Sequence, residues 1–228
     1  MVAEDFEWIR TYEPGSWLVL VTGVVALLGV LVDRVWRWSR HLVTIVHEAG
    51  HAGVAVLTGR RLRGIRLHSD TSGLTLSTGR PTGPGMVATA AAGYLAPSAV
   101  GLICVVLLAY DQVTVMLWAA VALLLAMLVM VRNAYGVLAL LVTGGAVVGL
   151  SLGAPADVQA AVAHAATWFL LLAAVRPVWE LRRERRRTRQ TDADTLARLT
   201  RVPGGAWVAF FGLVTLAALA AGGWLLLT

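Results

Sequence analysis

The stretch Val43-Thr44-Ile45-Val46-His47-Glu48-Ala49-Gly50-His51-Ala52-Gly53-Val54-Ala55-Val56-Leu57 combines an apolar helical pattern with three ionisable side chains. His47 and His51 are four residues apart, so on an α-helix both imidazoles lie on one face and can bind the same metal ion. Glu48 can reach a water in the open position of that ion, and the pattern H-E-x-x-H is typical of zinc metalloproteases. An ionisable residue near the middle of a membrane costs about 2.5 to 3.5 kcal/mol, so three together in one apolar helix indicate a function. The alternative is an ordinary helix with hydrogen-bonded histidines and a glutamate that faces a polar cavity.

The composition is typical of a polytopic membrane protein. Hydrophobic residues make up 58% of the 228 residues and charged residues only 14%, and the mean hydropathy is +0.74, which is beyond the range of a soluble domain. The net charge is +6 and all 19 basic residues are arginines. These arginines fall between apolar runs, which favours contact with anionic lipid headgroups and argues against nucleic acid. Cys104 is the only cysteine, which excludes an internal disulfide and a cysteine-ligated zinc.

Seven apolar runs are long enough, or nearly so, to cross a membrane. They are Ser16–Val32, Leu42–Thr58, Met86–Ala109, Val113–Val131, Tyr135–Leu152, Val158–Val175 and Ala206–Leu227. We therefore predict an all-α polytopic membrane protein with about six to seven transmembrane helices, as a single membrane-embedded domain over residues 1–228. Within it, residues 42–140 form the motif core, residues 176–205 a basic cytoplasmic loop and residues 206–227 the last span. The acidic residues within positions 1–13 argue against a cleavable signal peptide.

A small β-hairpin at the membrane surface is predicted directly after the motif helix. Ile65–His68 and Leu74–Ser77 each alternate between apolar and polar residues, and the five residues between them favour a turn. The next span begins with the small residues Ala88–Gly93, which allow another helix, such as the motif helix, to approach closely.

The arginines predict which ends of the spans share a side of the membrane. A basic cluster marks the cytoplasmic side: Arg182, Arg183, Arg185, Arg186, Arg187 and Arg189. The hairpin and the break at Arg132 fall on the same side. Arg34, Arg37 and Arg40 fall on the opposite side in this scheme, unless they lie in an interfacial helix or the first two runs form a re-entrant pair.

The sequence resembles the site-2 protease family of intramembrane zinc metallopeptidases, and within it the bacterial subgroup of short polytopic proteins. The likeness rests on the motif His47-Glu48-Ala49-Gly50-His51, the hairpin, the element Ala92–Pro97 and the segment Arg132–Gly136. It implies a zinc ion held by His47 and His51, with Glu48 activating water. It further implies hydrolysis of a peptide bond in a membrane-inserted protein substrate, in a bacterial inner membrane.

One departure from the family concerns the third zinc ligand. The family takes it from an aspartate just before a glycine in a later span, but this chain has Tyr135 at that place, and tyrosine is a poor zinc ligand. Asp192 and Asp194 are the candidates to complete the shell, because the subgroup also carries an Asp-Ala element before the last span. The alternative is helix capping, with Asp192 as the N-cap and Asp194 in the first turn. Asp70 is a further candidate, although aspartate is also common in hairpin turns because its side chain accepts hydrogen bonds from the turn backbone.

Asn133, at the break before the fifth run, is a candidate donor to the oxyanion of the substrate, with helix capping as the alternative. Two other functions stay open. A non-catalytic membrane scaffold or regulator is favoured by Tyr135. A small transporter with a proton relay through His47, Glu48 and His51 explains the intramembrane charges but not the metal-ligand spacing.

Overall fold

The computed structural model describes residues 16–188 and 190–228. The acidic stretch within residues 1–13 and Arg189 of the basic cluster lie outside these described residues. The elements, in chain order, are α1 (Ser16–Leu31), α2 (Asp33–Leu57), β1 (Arg61–Leu67), β2 (Gly73–Thr78), α3 (Pro84–Ala109), α4 (Val113–Met130), α5 (Ala134–Gly153), α6 (Ala156–Ala173), α7 (Val175–Glu184), α8 (Asp192–Thr200) and α9 (Gly204–Leu227).

Most of the helices are long and apolar enough to cross a membrane. Among the described residues, five segments meet this condition: α3, α4, α5, the continuous α6–α7 segment and α9. Helices α1 and α2 qualify only as a pair, and they meet at an angle of 100°. The predicted all-α polytopic membrane fold is confirmed, with five or six spans in the described part of the chain.

Helix α2 joins two segments that the sequence pattern separated. The charged segment from Asp33 to Arg40 continues without a break into the motif helix, and Asp33 lies in the first turn, where an acidic residue is favoured. On α7, Glu180 accepts a hydrogen bond from the indole of Trp36 (2.9 Å) and pairs with Arg40 (3.4 Å). Helix α2 therefore begins beside α7, where Asp33 also pairs with Arg176. The 100° bend favours the interfacial or re-entrant alternative for Arg34, Arg37 and Arg40 over a position on the opposite side.

Small residues bring α2 and α3 into close contact. A Cβ atom added at Gly50 would lie 2.5 Å from the Cβ of Ala96 and 2.8 Å from the backbone oxygen of Ala92. Any larger residue at position 50 would push the helices apart, because helices approach this closely only where side chains are small. The predicted contact between the motif helix and the small-residue start of α3 is confirmed.

The predicted hairpin is also confirmed, since β1 and β2 form an antiparallel two-stranded sheet. The break between α4 and α5 covers the other edge of β1, where Ile65 bridges to Val131 and accepts a hydrogen bond from the backbone of Arg132 (2.8 Å). The amide of Asn133 adds two bonds to the backbone of Leu67, one accepted from its N–H (3.2 Å) and one donated to its oxygen (2.6 Å). Among the described residues β2 pairs only with β1, so its outer edge stays open for a further strand.

The short helix α8 is held in a cluster formed with α3, α7 and α9. Leu196 of α8, Phe211 of α9 and Leu181 of α7 are fully buried there, and Ala91 of α3 packs in the same cluster. A helix of nine residues is too short to be stable alone in water. The position of α8 is therefore set by these tertiary contacts.

Candidate metal centre

Three side chains from two distant parts of the chain converge at one point. His47 and His51 come from α2 and Asp192 comes from the first turn of α8. The Nε2 atoms of the two histidines are 3.1 Å apart, and each lies 3.3 Å from Oδ2 of Asp192. His51 is buried and the other two are partly buried.

The spacing of the three donor atoms fits a tetrahedral metal ion. With bonds of about 2.0 to 2.1 Å, the ligand atoms of such an ion are about 3.3 to 3.4 Å apart, and the distances here are 3.1 to 3.3 Å. Lone pairs that converge in this way repel one another unless a proton or a metal ion lies between them. Two imidazoles and one carboxylate also leave a fourth coordination position open, as in catalytic zinc sites. The residues present therefore fit a metal ion.

Helix α3 fixes both imidazole rings. Nδ1 of His51 lies 2.7 Å from the backbone oxygen of Thr89, and an N–H donated there leaves the lone pair of Nε2 free for a metal ion. The ring of His47 packs edge-on against Tyr94, with ring centres 4.8 Å apart, and Tyr94 stacks on Phe211 of α9. The orientation of each ring thus depends on a neighbouring element and not on α2 alone.

Gly93 of α3 provides the room in front of the two rings. A Cβ atom at this position would lie 2.4 Å from Nε2 of His51 and 2.5 Å from Nε2 of His47. The absence of a side chain at residue 93 therefore keeps the metal-facing nitrogens accessible.

The carboxylate of Glu48 is buried and held by β2. Only 4% of Glu48 is exposed, and its Oε2 accepts a hydrogen bond of 2.6 Å from the hydroxyl of Thr75. Gly73 allows this contact, because a Cβ there would lie 2.4 Å from Oε1 of Glu48. A buried carboxylate with a fixed orientation can accept a proton from a water bound beside it.

Asp192 is charged in this arrangement. When the two Nε2 atoms carry protons, burial is the largest single effect and by itself raises the pKa of the carboxyl, but the hydrogen bonds that His47 and His51 then donate outweigh it and hold the pKa of Asp192 well below its usual range. The carboxylate is therefore available as an anionic ligand at neutral pH.

A family model described as Peptidase M50B-like matches residues 20–222. The chain belongs to this family. The match begins within α1, ends within α9 and includes all three converging residues. It confirms the resemblance to site-2 proteases, and together with the apolar helices it makes this an integral membrane protein of a peptidase family. Neither the curated proteins nor the solved structures give a match.

The structure of this family member separates the two candidate aspartates. Asp194 accepts hydrogen bonds from Arg185 through Oδ1 (2.8 and 3.0 Å) and from the hydroxyl of Thr191 through Oδ2 (2.7 Å). Thr191 is the N-cap of α8 and forms a capping box with Asp194. The structure thus brings Asp192 to the histidines and gives Asp194 the capping role, with Thr191 and not Asp192 as the N-cap.

Burial raises the pKa of Asp194, but the hydrogen bonds from Arg185 and Thr191 outweigh it, and the pKa lies below its ordinary value. Asp194 is therefore an ionised partner of Arg185.

Three other residues considered in the sequence analysis make hydrogen bonds away from the metal centre. Both polar side-chain atoms of Asn133 bond to the backbone of Leu67, so the geometry supports a structural role and lends no support to oxyanion donation. The hydroxyl of Tyr135 lies 3.3 Å from Nε2 of His41, and Tyr135 takes no part in the cluster. Asp70 accepts hydrogen bonds within its own turn (2.7 and 3.0 Å), as its turn alternative predicts.

Sequence reasoning missed the residues that hold the centre in place. They are Thr75, Thr89, Tyr94 and Arg185. The alternation of β2 placed Thr75 on one face of the hairpin, but it could not show that this face covers Glu48. No local signal marks Arg185 among the arginines around it.

Proposed function

We propose that this protein is a zinc-dependent intramembrane endopeptidase that hydrolyses peptide bonds of membrane-inserted proteins. The observation that carries this proposal is the convergence of His47, His51 and Asp192, with donor atoms 3.1 to 3.3 Å apart, next to the buried Glu48. Asp192 supplies the carboxylate that Tyr135 cannot, so the ligand set is complete despite the departure from the family pattern.

Residues of this chain then have separate roles in hydrolysis. A zinc ion held by His47, His51 and Asp192 would supply a Lewis acid, which lowers the pKa of water to about 7 and polarises a carbonyl group. Glu48 accepts the proton of the attacking water and passes it to the nitrogen that leaves as the C–N bond breaks. Thr75 holds the carboxylate of Glu48 in one orientation, and Thr89 holds the ring of His51.

The outer edge of β2 is the place where we expect the substrate to bind. Leu74 and Leu76 point away from α2 with 47% and 44% of their surface exposed, whereas Thr75 between them contacts Glu48. An extended segment added to this edge would run beside Glu48 and would make backbone hydrogen bonds to β2. A helical substrate must first unwind at this point, because its carbonyls are engaged in its own hydrogen bonds.

The arginines of α7 fit the cytoplasmic face of a bacterial inner membrane. The guanidinium groups of Arg182 and Arg183 lie 5.9 and 5.8 Å from the ring of Trp179, which is 56% exposed. Exposed tryptophan beside arginine is typical of the membrane interface, where anionic headgroups attract the cations.

Zinc content and cleavage together test the proposal. The purified wild-type protein should hold about one zinc ion per chain and cleave a membrane-inserted peptide. Glu48→Gln should keep the zinc and lose cleavage, because the glutamine keeps the shape but accepts no proton. Asp192→Asn should lose most of the zinc, whereas Asp157→Asn, at an exposed position in α6, should keep it.

Other outcomes would favour the other functions. Cleavage that persists in Glu48→Gln would contradict the catalytic role of this residue. A wild-type protein that holds zinc and cleaves no membrane-inserted peptide would favour the non-catalytic scaffold, the function that Tyr135 suggests. A wild-type protein without zinc would overturn the metal centre and favour the proton relay.

A further inference from the structure

We propose that Arg185 is a positioning residue of the metal centre. Its largely buried ion pair with Asp194 fixes the first turn of α8, so that Asp192 on the same turn faces the two imidazoles. The inference rests on the proposed function, because it treats Asp192 as a metal ligand.

The contact between Arg185 and Asp194 is largely buried and directional. The two side chains are 15% and 8% exposed, and Nε and Nη2 of Arg185 donate to the same oxygen of Asp194 at 3.0 and 2.8 Å. Thr191 donates to the other oxygen at 2.7 Å. Both oxygens of Asp194 are therefore engaged, and the carboxylate holds one orientation.

Arg185 connects this turn of α8 to two neighbouring helices. It is the C-cap residue of α7, and its guanidinium occupies the space that a side chain at Gly204 would fill. A Cβ at Gly204, the first residue of α9, would lie 2.4 Å from Nη2 and 2.8 Å from Cζ of Arg185. The ion pair thus fastens α8 to the end of α7 and the start of α9.

The two aspartates point to different sides of the turn. Asp192 and Asp194 are two residues apart at the start of α8, which places them about 200° apart around the helix axis at 3.6 residues per turn. A bond that holds Asp194 toward α7 and α9 therefore holds Asp192 toward α2. Apolar contacts alone tolerate rotation of a short helix, whereas a directional ion pair selects one rotation.

Zinc affinity tests this role with matched variants. Arg185→Gln should lower the affinity for zinc about 10- to 100-fold, the usual effect of losing a residue that orients a ligand. Arg186→Gln is the control, since Arg186 is the exposed neighbour, and should bind as wild type. Gly204→Ala should act like Arg185→Gln, because it displaces the guanidinium and leaves its charge in place. Arg185→Lys should restore part of the affinity, because an ammonium keeps the charge but not the planar fork. Competition with a chelator, using zinc alone as the probe, measures each affinity.

Two further measurements separate positioning from general stability. In an Asp192→Asn background, Arg185→Gln should cause no further loss of zinc affinity, whereas a loss of the same size in both backgrounds would overturn the inference. Hydrogen–deuterium exchange without zinc should be faster over residues 191–200 in Arg185→Gln than in Arg186→Gln, and equal exchange would also overturn it. If the wild type binds no zinc, the proposed function fails, and the exchange comparison still decides whether Arg185 holds α8.

Discussion

Replacing Gly93 by alanine should weaken metal binding without unfolding the protein. The added methyl carbon would lie 2.4 and 2.5 Å from Nε2 of His51 and His47, whereas ordinary contacts begin at about 3.5 Å, so it overlaps each nitrogen by about 1 Å. Neither ring can retreat freely, because Thr89 and Tyr94 hold them. Overpacking of this kind costs about 1 to 3 kcal/mol, which lowers zinc affinity by a factor of roughly 5 to 150 if it falls on the metal-bound state.

Chelator competition on the purified protein measures this loss, and thermal unfolding without zinc provides the comparison. The stability of the helix itself should not fall, because alanine favours an α-helix over glycine by up to about 1 kcal/mol. Gly53→Ala is the matched control, since a Cβ at Gly53 meets nothing within 4 Å, and it should bind zinc as wild type. Zinc affinity of Gly93→Ala equal to that of this control would refute the assignment of the space in front of the imidazoles to a metal ion.

Two further predictions concern the hairpin. Thr75→Val should lower kcat about 10- to 100-fold with little change in KM, because it removes the 2.6 Å hydrogen bond to Glu48. A hydrogen bond to a charged group contributes about 1.5 to 3 kcal/mol. Thr75→Ser should recover most of the rate, and steady-state kinetics with a membrane-inserted peptide measures both variants. Asn133→Ala should remove two hydrogen bonds to Leu67 and lower the free energy of unfolding by about 1 to 3 kcal/mol. An unchanged free energy of unfolding together with unchanged hydrogen exchange at the Leu67 amide would contradict this structural role.

Much of the fold could be predicted from local patterns in the sequence. Hydropathy identified the apolar helices, and the alternation around Ile65 and Leu74 identified the hairpin. The bend between α1 and α2 could not be predicted in the same way. Hydropathy reports which segments avoid water but not the angle between them, and the 100° turn depends partly on the contact of α2 with Glu180, far along the chain.

At the metal centre, too, local sequence patterns predict some features, and the others depend on contacts between distant parts of the chain. The spacing of His47 and His51 was sufficient to predict that they share one face of a helix. Asp192 and Asp194 could not be separated from sequence, because both are acidic residues at a helix start and both fit a cap or a ligand. The rotation of α8 distinguishes them, and Arg185 and Gly204, which contact this turn, lie outside any local motif.

The convergence of α2 and α8 has a consequence for biosynthesis. His47 and His51 precede Asp192 in the chain, so the ribosome completes the two imidazoles before it translates the codon for the carboxylate. A nascent chain therefore carries the histidine pair for most of its elongation without the third donor. If peptide hydrolysis needs the full ligand shell, the order of translation keeps an unfinished molecule from digesting other proteins during its own insertion.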